Sequence, residues 1–198
     1  VMAAGGAEVS VTGSNPKSTK DDVVAALSDE GLYVYAWYDA TPEEFRDHQR
    51  AALEIHPNIV IDDGGDLVHI LHEEMGDHLS QVYGACEETT AGVLRDSARE
   101  KAGTLSFPVV AVNNAYCKSL VDNRSGTGQS TMDALMRSTN KVITGSTMVV
   151  SGFGWCGKGI AQRAAGMGAR VIVTEVDSIK ALEAVNEGYW VMPMDEAV

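Results

Sequence analysis

Apolar residues fall in short β-rich runs, separated by polar turns and by stretches with helical periodicity, and that alternation repeats along the first half of the chain. The runs Ala7–Thr12, Tyr33–Trp37, Asn58–Asp62, Gln81–Ala85 and Val109–Val112 recur roughly every 25 residues and read as strands. Between them, Thr41-Pro42-Glu43-Glu44 sets a capping threonine, a first-turn proline and a reaching glutamate in register for a helix start. Gly31, after Val23-Val24-Ala25-Ala26-Leu27, suits a helix C-terminal cap. Regular strand–helix alternation predicts an α/β fold with a parallel sheet wrapped by helices.

From about Gly126 the pattern opens a second unit: helix Gln129–Thr139, strands Thr147–Ser151 and Arg170–Glu175, helices Lys158–Met167 and Ser178–Glu187, and a third strand at Tyr189–Met192. The first strand runs into Gly152-Phe153-Gly154-Trp155-Cys156-Gly157, a Gly-x-Gly-x-x-Gly turn. There the first glycine permits a tight bend, the second lets the backbone approach a pyrophosphate and the third lets helix and strand pack closely. The helix N-terminus then faces the negative charge of a dinucleotide. Glu175, at the end of the next strand, stands where an acidic group hydrogen-bonds both hydroxyls of an adenosine ribose, which favours NAD and repels the extra phosphate of NADP. This is the first half of a Rossmann domain. A complete one needs about as much again, and Val1 begins in what reads as the last turn of a helix, so we expect an internal piece of a larger protein.

Composition narrows the function classes. The 198 residues are 44% hydrophobic and 22% charged, ordinary for a globular protein, and no apolar run approaches the ~20 residues needed to cross a bilayer. The opening residues lack the features of a signal peptide, so the expected location is the cytosol and no membrane partner is expected. A net charge of −13 opposes a phosphate backbone, which argues against nucleic acid. Cys86, Cys117 and Cys156 have neither metal-ligand nor Cys-x-x-Cys spacing and read as buried free thiols in a reducing compartment. His69, His72 and His78 with Glu73 lack a recognised zinc spacing and read as a polar helix or loop surface, so no metal is expected.

Three polar clusters sit at strand ends, where ligands of open α/β sheets bind. They are Asp62-Asp63-Gly64-Gly65-Asp66, Glu87-Glu88-Thr89-Thr90, and Asn113-Asn114 leading into Lys118, Asp122 and Asn123. Turn chemistry accounts for the first alone and helix capping for the second alone. Together, at equivalent positions, they point to a polar substrate pocket. Lys118 and Asp122 are four apart, so on a helix they share a face; they make a surface pair or, beside a nicotinamide, a proton relay for a hydroxyl losing hydride.

These residues resemble the S-adenosylhomocysteine hydrolase family from end to end. The resemblance is carried by Ser14-Asn15-Pro16, Val34-Tyr35-Ala36-Trp37, Asp62-Asp63-Gly64-Gly65-Asp66-Leu67, Glu87-Glu88-Thr89-Thr90, Asp122-Asn123 with Gly126-Thr127-Gly128-Gln129-Ser130, Gly152–Gly159, Val173-Thr174-Glu175-Val176-Asp177 and Met194-Asp195-Glu196-Ala197. It implies a substrate-binding domain over residues 1–116 and an NAD-binding Rossmann domain over 117–198, each truncated. It also implies reversible hydrolysis of S-adenosylhomocysteine to adenosine and homocysteine. In that chemistry tightly bound NAD oxidises the ribose 3'-hydroxyl, the ketone acidifies the neighbouring C4' hydrogen, the thiolate leaves, water adds and the ketone is reduced again. Carried over by motif, Asp63, Glu88, Lys118 and Asp122 are the catalytic and substrate-binding residues. Asp63 transfers a proton at the ribose, Glu88 holds the ribose hydroxyls, and Lys118 with Asp122 serves the 3'-hydroxyl. Thr89, Thr90, Asn123, Gly152, Gly154, Trp155, Cys156, Gly157, Glu175 and Lys180 fall to the NAD site, and the resemblance implies a homotetramer.

The chain departs from the family pattern at Ala91 for a third threonine, Asn114 for aspartate, Ser125 for tyrosine, Ser178 for proline and Lys180 for asparagine. The family's Leu-His-Met segment, further active-site histidines and the C-terminal extension fall outside the sequence, so little or no turnover is expected of this piece alone. Two other readings stay open: an NAD-dependent dehydrogenase of the 2-hydroxyacid or alanine dehydrogenase kind, and a non-catalytic nucleotide-binding homologue.

Overall fold

The computed structural model describes residues 1–197. Two compact units divide the chain, Val1–Asn113 and Asn114–Val198. The first runs β1 (Ser10–Thr12), α1 (Asp21–Asp29), β2 (Tyr33–Tyr35), α2 (Pro42–Leu53), β3 (Ile59–Asp62), α3 (Asp66–Glu73), β4 (Gly84–Glu87), α4 (Thr90–Ala102) and β5 (Val109–Ala111). All its pairings are parallel, but they form two ladders, β1-β2 and β3-β4-β5. Helices begin and end where local chemistry asks. Thr41 and Glu44 close a reciprocal capping box with Pro42 in the first turn of α2. Gly31, at φ +83°, donates its N–H to Ser28 and stops α1.

Strand β3 alternates exposed and buried, placing Val60 and Asp62 on the inner face. In the same way Ala85 and Glu87 of β4 turn inward. Val60 and Ala85 join Leu53, Val68, Ile70, Leu71, Val82 and Phe107 in the core of this unit. Strand β4 starts three residues later than the sequence pattern suggests. A 3-10 segment, Gly76–Gln81, occupies the approach, and Val82 is buried ahead of the ladder.

The second unit runs through a π-helix (Lys118–Thr127), α5 (Gly128–Thr139), β6 (Thr147–Ser151), α6 (Trp155–Gly166), β7 (Arg170–Thr174), α7 (Ser178–Asn186), β8 (Trp190–Val191) and α8 (Met194–Ala197). Its three strands pair in parallel in the order β6-β7-β8, with β7 central and buried from Val171 to Thr174. The core is Met132, Ile143, Val150, Phe153, Ala161, Ala164, Val171, Val173 and Ala184. Helix α6 begins at Trp155, inside the glycine turn and three residues earlier than its periodicity suggests, because Gly154 serves as N-cap.

Candidate active site

In the first unit, strands β3 and β4 end in register, Asp62 opposite Glu87. One residue further on each strand stand Asp63, exposed, and Glu88, half-buried. Their neighbours point the other way and build the floor. Asp62 is 3% exposed, accepting the N–H of Asp63 on Oδ1 (3.0 Å) and of Val68 on Oδ2 (2.9 Å). Burial raises its pKa to about 6, against those two bonds. Gly64 and Gly65 take φ of +121° and +75°, left-handed values that close the Asp-Asp-Gly-Gly turn. A side chain at Gly65 would come within 3.1 Å of the Gly92 Cα, so the turn and α4 meet backbone to backbone.

Thr89 caps α4, its hydroxyl accepting the N–H of Gly92 (3.1 Å) and donating to Glu87 Oε1 (2.8 Å). Thr90 Oγ1 accepts from Asn113 Nδ2 at 3.2 Å. Both threonines therefore carry structural bonds at the strand end. Sequence reasoning overlooked Glu87, the fully buried member of its cluster. Its inward parity with Ala85 and the absent side chain at Gly92 were the available signals.

The histidines on α3 and after it are engaged elsewhere. His69 meets Arg99, whose guanidinium also pairs with Glu73 at 2.7 Å. His72 lies 2.8 Å from the Val68 carbonyl through Nδ1 and accepts the Ser106 N–H on Nε2 (3.0 Å), which fixes the Nδ1–H tautomer. Ring-on-ring contact pairs His78 with His56 at 3.9 Å.

In the second unit, the π-helix carries Lys118 and Asp122 on one face. The ammonium stands 3.6 Å from Asp122 Oδ2; the lysine side chain is 9% exposed and the aspartate 61%. Such wide turns recur at functional sites because they re-aim side chains. Asn123 Nδ2 donates to Cys156 Sγ at 3.2 Å, so two residues assigned to the cofactor meet. The cysteines are free but not buried as expected: Cys86 and Cys156 are half-buried and Cys117, just before the π-helix, is exposed. Trp155 packs edge-on against Tyr116 and lies 5.3 Å below the Lys158 ammonium.

The glycine turn passes a steric test for a dinucleotide. Gly152 sits at φ +93°, and a Cβ on Gly157 would lie 2.0 Å from the Gly152 carbonyl oxygen. By contrast a Cβ on Gly154 would meet nothing within 4 Å. The open backbone at Gly154 and the N-terminus of α6, which has no side-chain cap and no acid in its first turn, form a cradle for a pyrophosphate. Glu175 accepts the N–H groups of Asp177 (3.0 Å), Phe153 (2.7 Å) and Val176 (2.8 Å), which hold its carboxyl below the usual glutamate range. Its carboxyl is thus tied to the turn by three backbone donors. Lys180, in the first turn of α7, lies 3.8 Å from the capping Asp177.

Residues 1–82 match the family described as S-adenosyl-L-homocysteine hydrolase, and residues 123–198 match the NAD-binding domain of that same family. The chain belongs to the S-adenosyl-L-homocysteine hydrolase family. NAD is accordingly the cofactor of the second unit. Among curated relatives, the S-inosyl-L-homocysteine hydrolase of Methanopyrus kandleri is 55% identical over 99% of this chain and 46% of its own length. The adenosylhomocysteinases of Pyrococcus abyssi and Saccharolobus solfataricus are each 56% identical, over 99% and 98% of this chain and 46% of their own lengths. The chain thus spans about half the length of the relatives it matches.

Proposed function

We propose that the full-length protein carrying this chain reversibly hydrolyses S-adenosyl-L-homocysteine to adenosine and homocysteine, within methyl-group metabolism. The observation that carries this reading is that the two halves of the chain match, in order, the two domains of one hydrolase family. Bound NAD would supply reversible hydride transfer at the ribose 3'-carbon. Asp63 is the exposed carboxylate at the β3 end and moves a proton at the ribose. Glu88, one residue past the end of β4, accepts from the ribose hydroxyls. The mostly buried amino group of Lys118, beside Asp122, takes up the proton of the 3'-hydroxyl as a neutral amine and returns it as an ammonium. Asn123, Trp155, Cys156 and Lys180 border the cofactor, while Gly152, Gly154 and Gly157 shape the pyrophosphate cradle and Glu175 holds the adenosine ribose.

A second reading has equal footing in the relatives: S-inosyl-L-homocysteine as substrate, the named substrate of the Methanopyrus kandleri and Methanocaldococcus jannaschii proteins, 55% and 53% identical. The two thioethers differ at the base, where an amino donor in adenine is a carbonyl acceptor in hypoxanthine. We further propose a cytoplasmic homotetramer, with residues 1–116 binding substrate and 117–198 binding NAD, and little turnover from the 198 residues alone.

Nucleoside release by the full-length protein, measured for both thioethers beside Lys118→Ala and Asp63→Asn, tests the assignment. We expect one thioether to be strongly preferred and each substitution to slow release by about 100-fold or more. Equal release by wild type and Lys118→Ala would remove the role given to Lys118.

A further inference from the structure

The carboxylate of Glu87 touches both strand-end turns, after β3 and after β4. Its Oε1 accepts three donors: the N–H of Gly64 at 2.9 Å from the Asp63 turn, and the N–H and hydroxyl of Thr89, each at 2.8 Å, from the Glu88 turn. The residue is 0% exposed. Space for its carboxyl exists because residue 92 is glycine, where a Cβ would stand 2.1 Å from Glu87 Cδ. A second tie supports the same junction, the Glu88 N–H donating to the Asp62 carbonyl at 3.0 Å. Each proposed catalytic carboxylate therefore has a neighbour bonded to the same oxygen atom, Gly64 after Asp63 and Thr89 after Glu88.

The other oxygen is the unusual one. Glu87 Oε2 is buried without a hydrogen-bond partner among the described residues, and so is Oδ2 of Asp96. Asp96 lies one turn beyond Gly92 on α4, hence on the same face, and is 5% exposed. Burial raises the Asp96 pKa, with the charge of Glu87 adding to it. Asp62 faces the same group from β3 and also feels its charge, while His72, Arg99 and Arg95 act on Asp96 in the opposite sense. A buried carboxylate among acids is costly, and native chains keep such groups where they fix a particular geometry.

We propose that Glu87 is a positioning residue for the hydrolase reaction, its single acceptor oxygen holding the Asp63 and Glu88 turns in mutual register. It touches neither substrate nor cofactor and acts through those two carboxylates. The inference rests on their assignment to the ribose. Glutamine at this position keeps an oxygen for the three donors and removes the charge that acts on Asp96. Aspartate keeps the charge but withdraws the oxygen by a methylene.

The test compares Glu87→Asp and Glu87→Gln in the NAD-loaded full-length protein, with Asp63→Asn as a control. We expect Glu87→Asp to lower kcat by about 100-fold, the cost of displacing a reacting group by roughly an ångström, at unchanged NAD content. Glu87→Gln should recover most of that loss. Glu87→Asp added to Asp63→Asn should cost much less than it does alone, because the group being positioned is already disabled. The tie is read separately by amide exchange, where Glu87→Asp should speed exchange at Gly64 and Thr89 together by about 10-fold or more. Loss of thermal stability with kcat per folded subunit unchanged would overturn the proposal. Losses that multiply with Asp63→Asn, a glutamine variant as slow as aspartate, or exchange quickened at one amide only would do the same. If Asp63→Asn hydrolyses at the wild-type rate, the functional reading of the site fails by itself, and the amide exchange still decides the tie.

Discussion

Asp62 and Asp63 are adjacent in sequence and opposite in circumstance. The first is buried under the turn with both oxygens bonded to backbone N–H groups, and the second is exposed at the strand end. Between the ordinary aspartate pKa of 3.8 and the folded value of about 6, the native Asp62 keeps a proton that the unfolded chain gives up. Its contribution therefore favours the fold at low pH and is lost as pH rises through that window, by about 3 kcal/mol. Asp62→Asn stays neutral and removes this dependence. In denaturation curves, wild type should lose stability relative to Asp62→Asn as pH rises from 4 to 7, and parallel curves would contradict the assignment. Adjacent letters could not show this division of labour. The sequence marks Asp-Asp and Glu-Glu as clusters, but which member turns inward depends on the β3–β4 register and on the missing side chain at Gly92.

Elements were more legible than side-chain roles. The capping box at Thr41, the stop at Gly31 and the strand ends before Asp63 follow from local chemistry, which acts over a few residues and so survives in the chain as pattern. The π-helix does not. Lys118–Thr127 is polar with little amphipathic contrast, so nothing in its periodicity announces a wide turn. Strand β4 was misplaced because Val82 is apolar and buried without joining the ladder. The glycine turn separates steric from ligand roles experimentally. Gly157→Ala should destabilise the unit by about 1–3 kcal/mol, since its Cβ would strike the Gly152 carbonyl. Gly154→Ala has room and a compatible backbone (φ −74°, ψ −171°), so its melting temperature should barely move while NAD affinity falls by about tenfold or more. Equal NAD affinity in Gly154→Ala and wild type, by calorimetry, would remove the pyrophosphate from that turn.

At the scale of the molecule, apolar surface left open is the clearest feature. Ile61, Cys86 and Val110 lie in one row across β3-β4-β5, on the face opposite Val60 and Ala85, with Ile61 and Val110 each 59% exposed. Ile179, Leu182 and Val185 form a second exposed apolar set on α7. Such patches promote association. The 198-residue chain in isolation should show concentration-dependent mass by light scattering, reduced by Ile61→Ser with Val110→Ser; a monomer at every concentration would contradict this. The most direct test of the whole account follows nucleoside release and nicotinamide absorbance together in one reaction of the NAD-loaded full-length protein. Nucleoside should accumulate over many turnovers while reduced cofactor never exceeds one equivalent per subunit. Reduced cofactor rising in step with product, or release with no reduced cofactor at any time, would contradict a hydrolysis that depends on reversible oxidation.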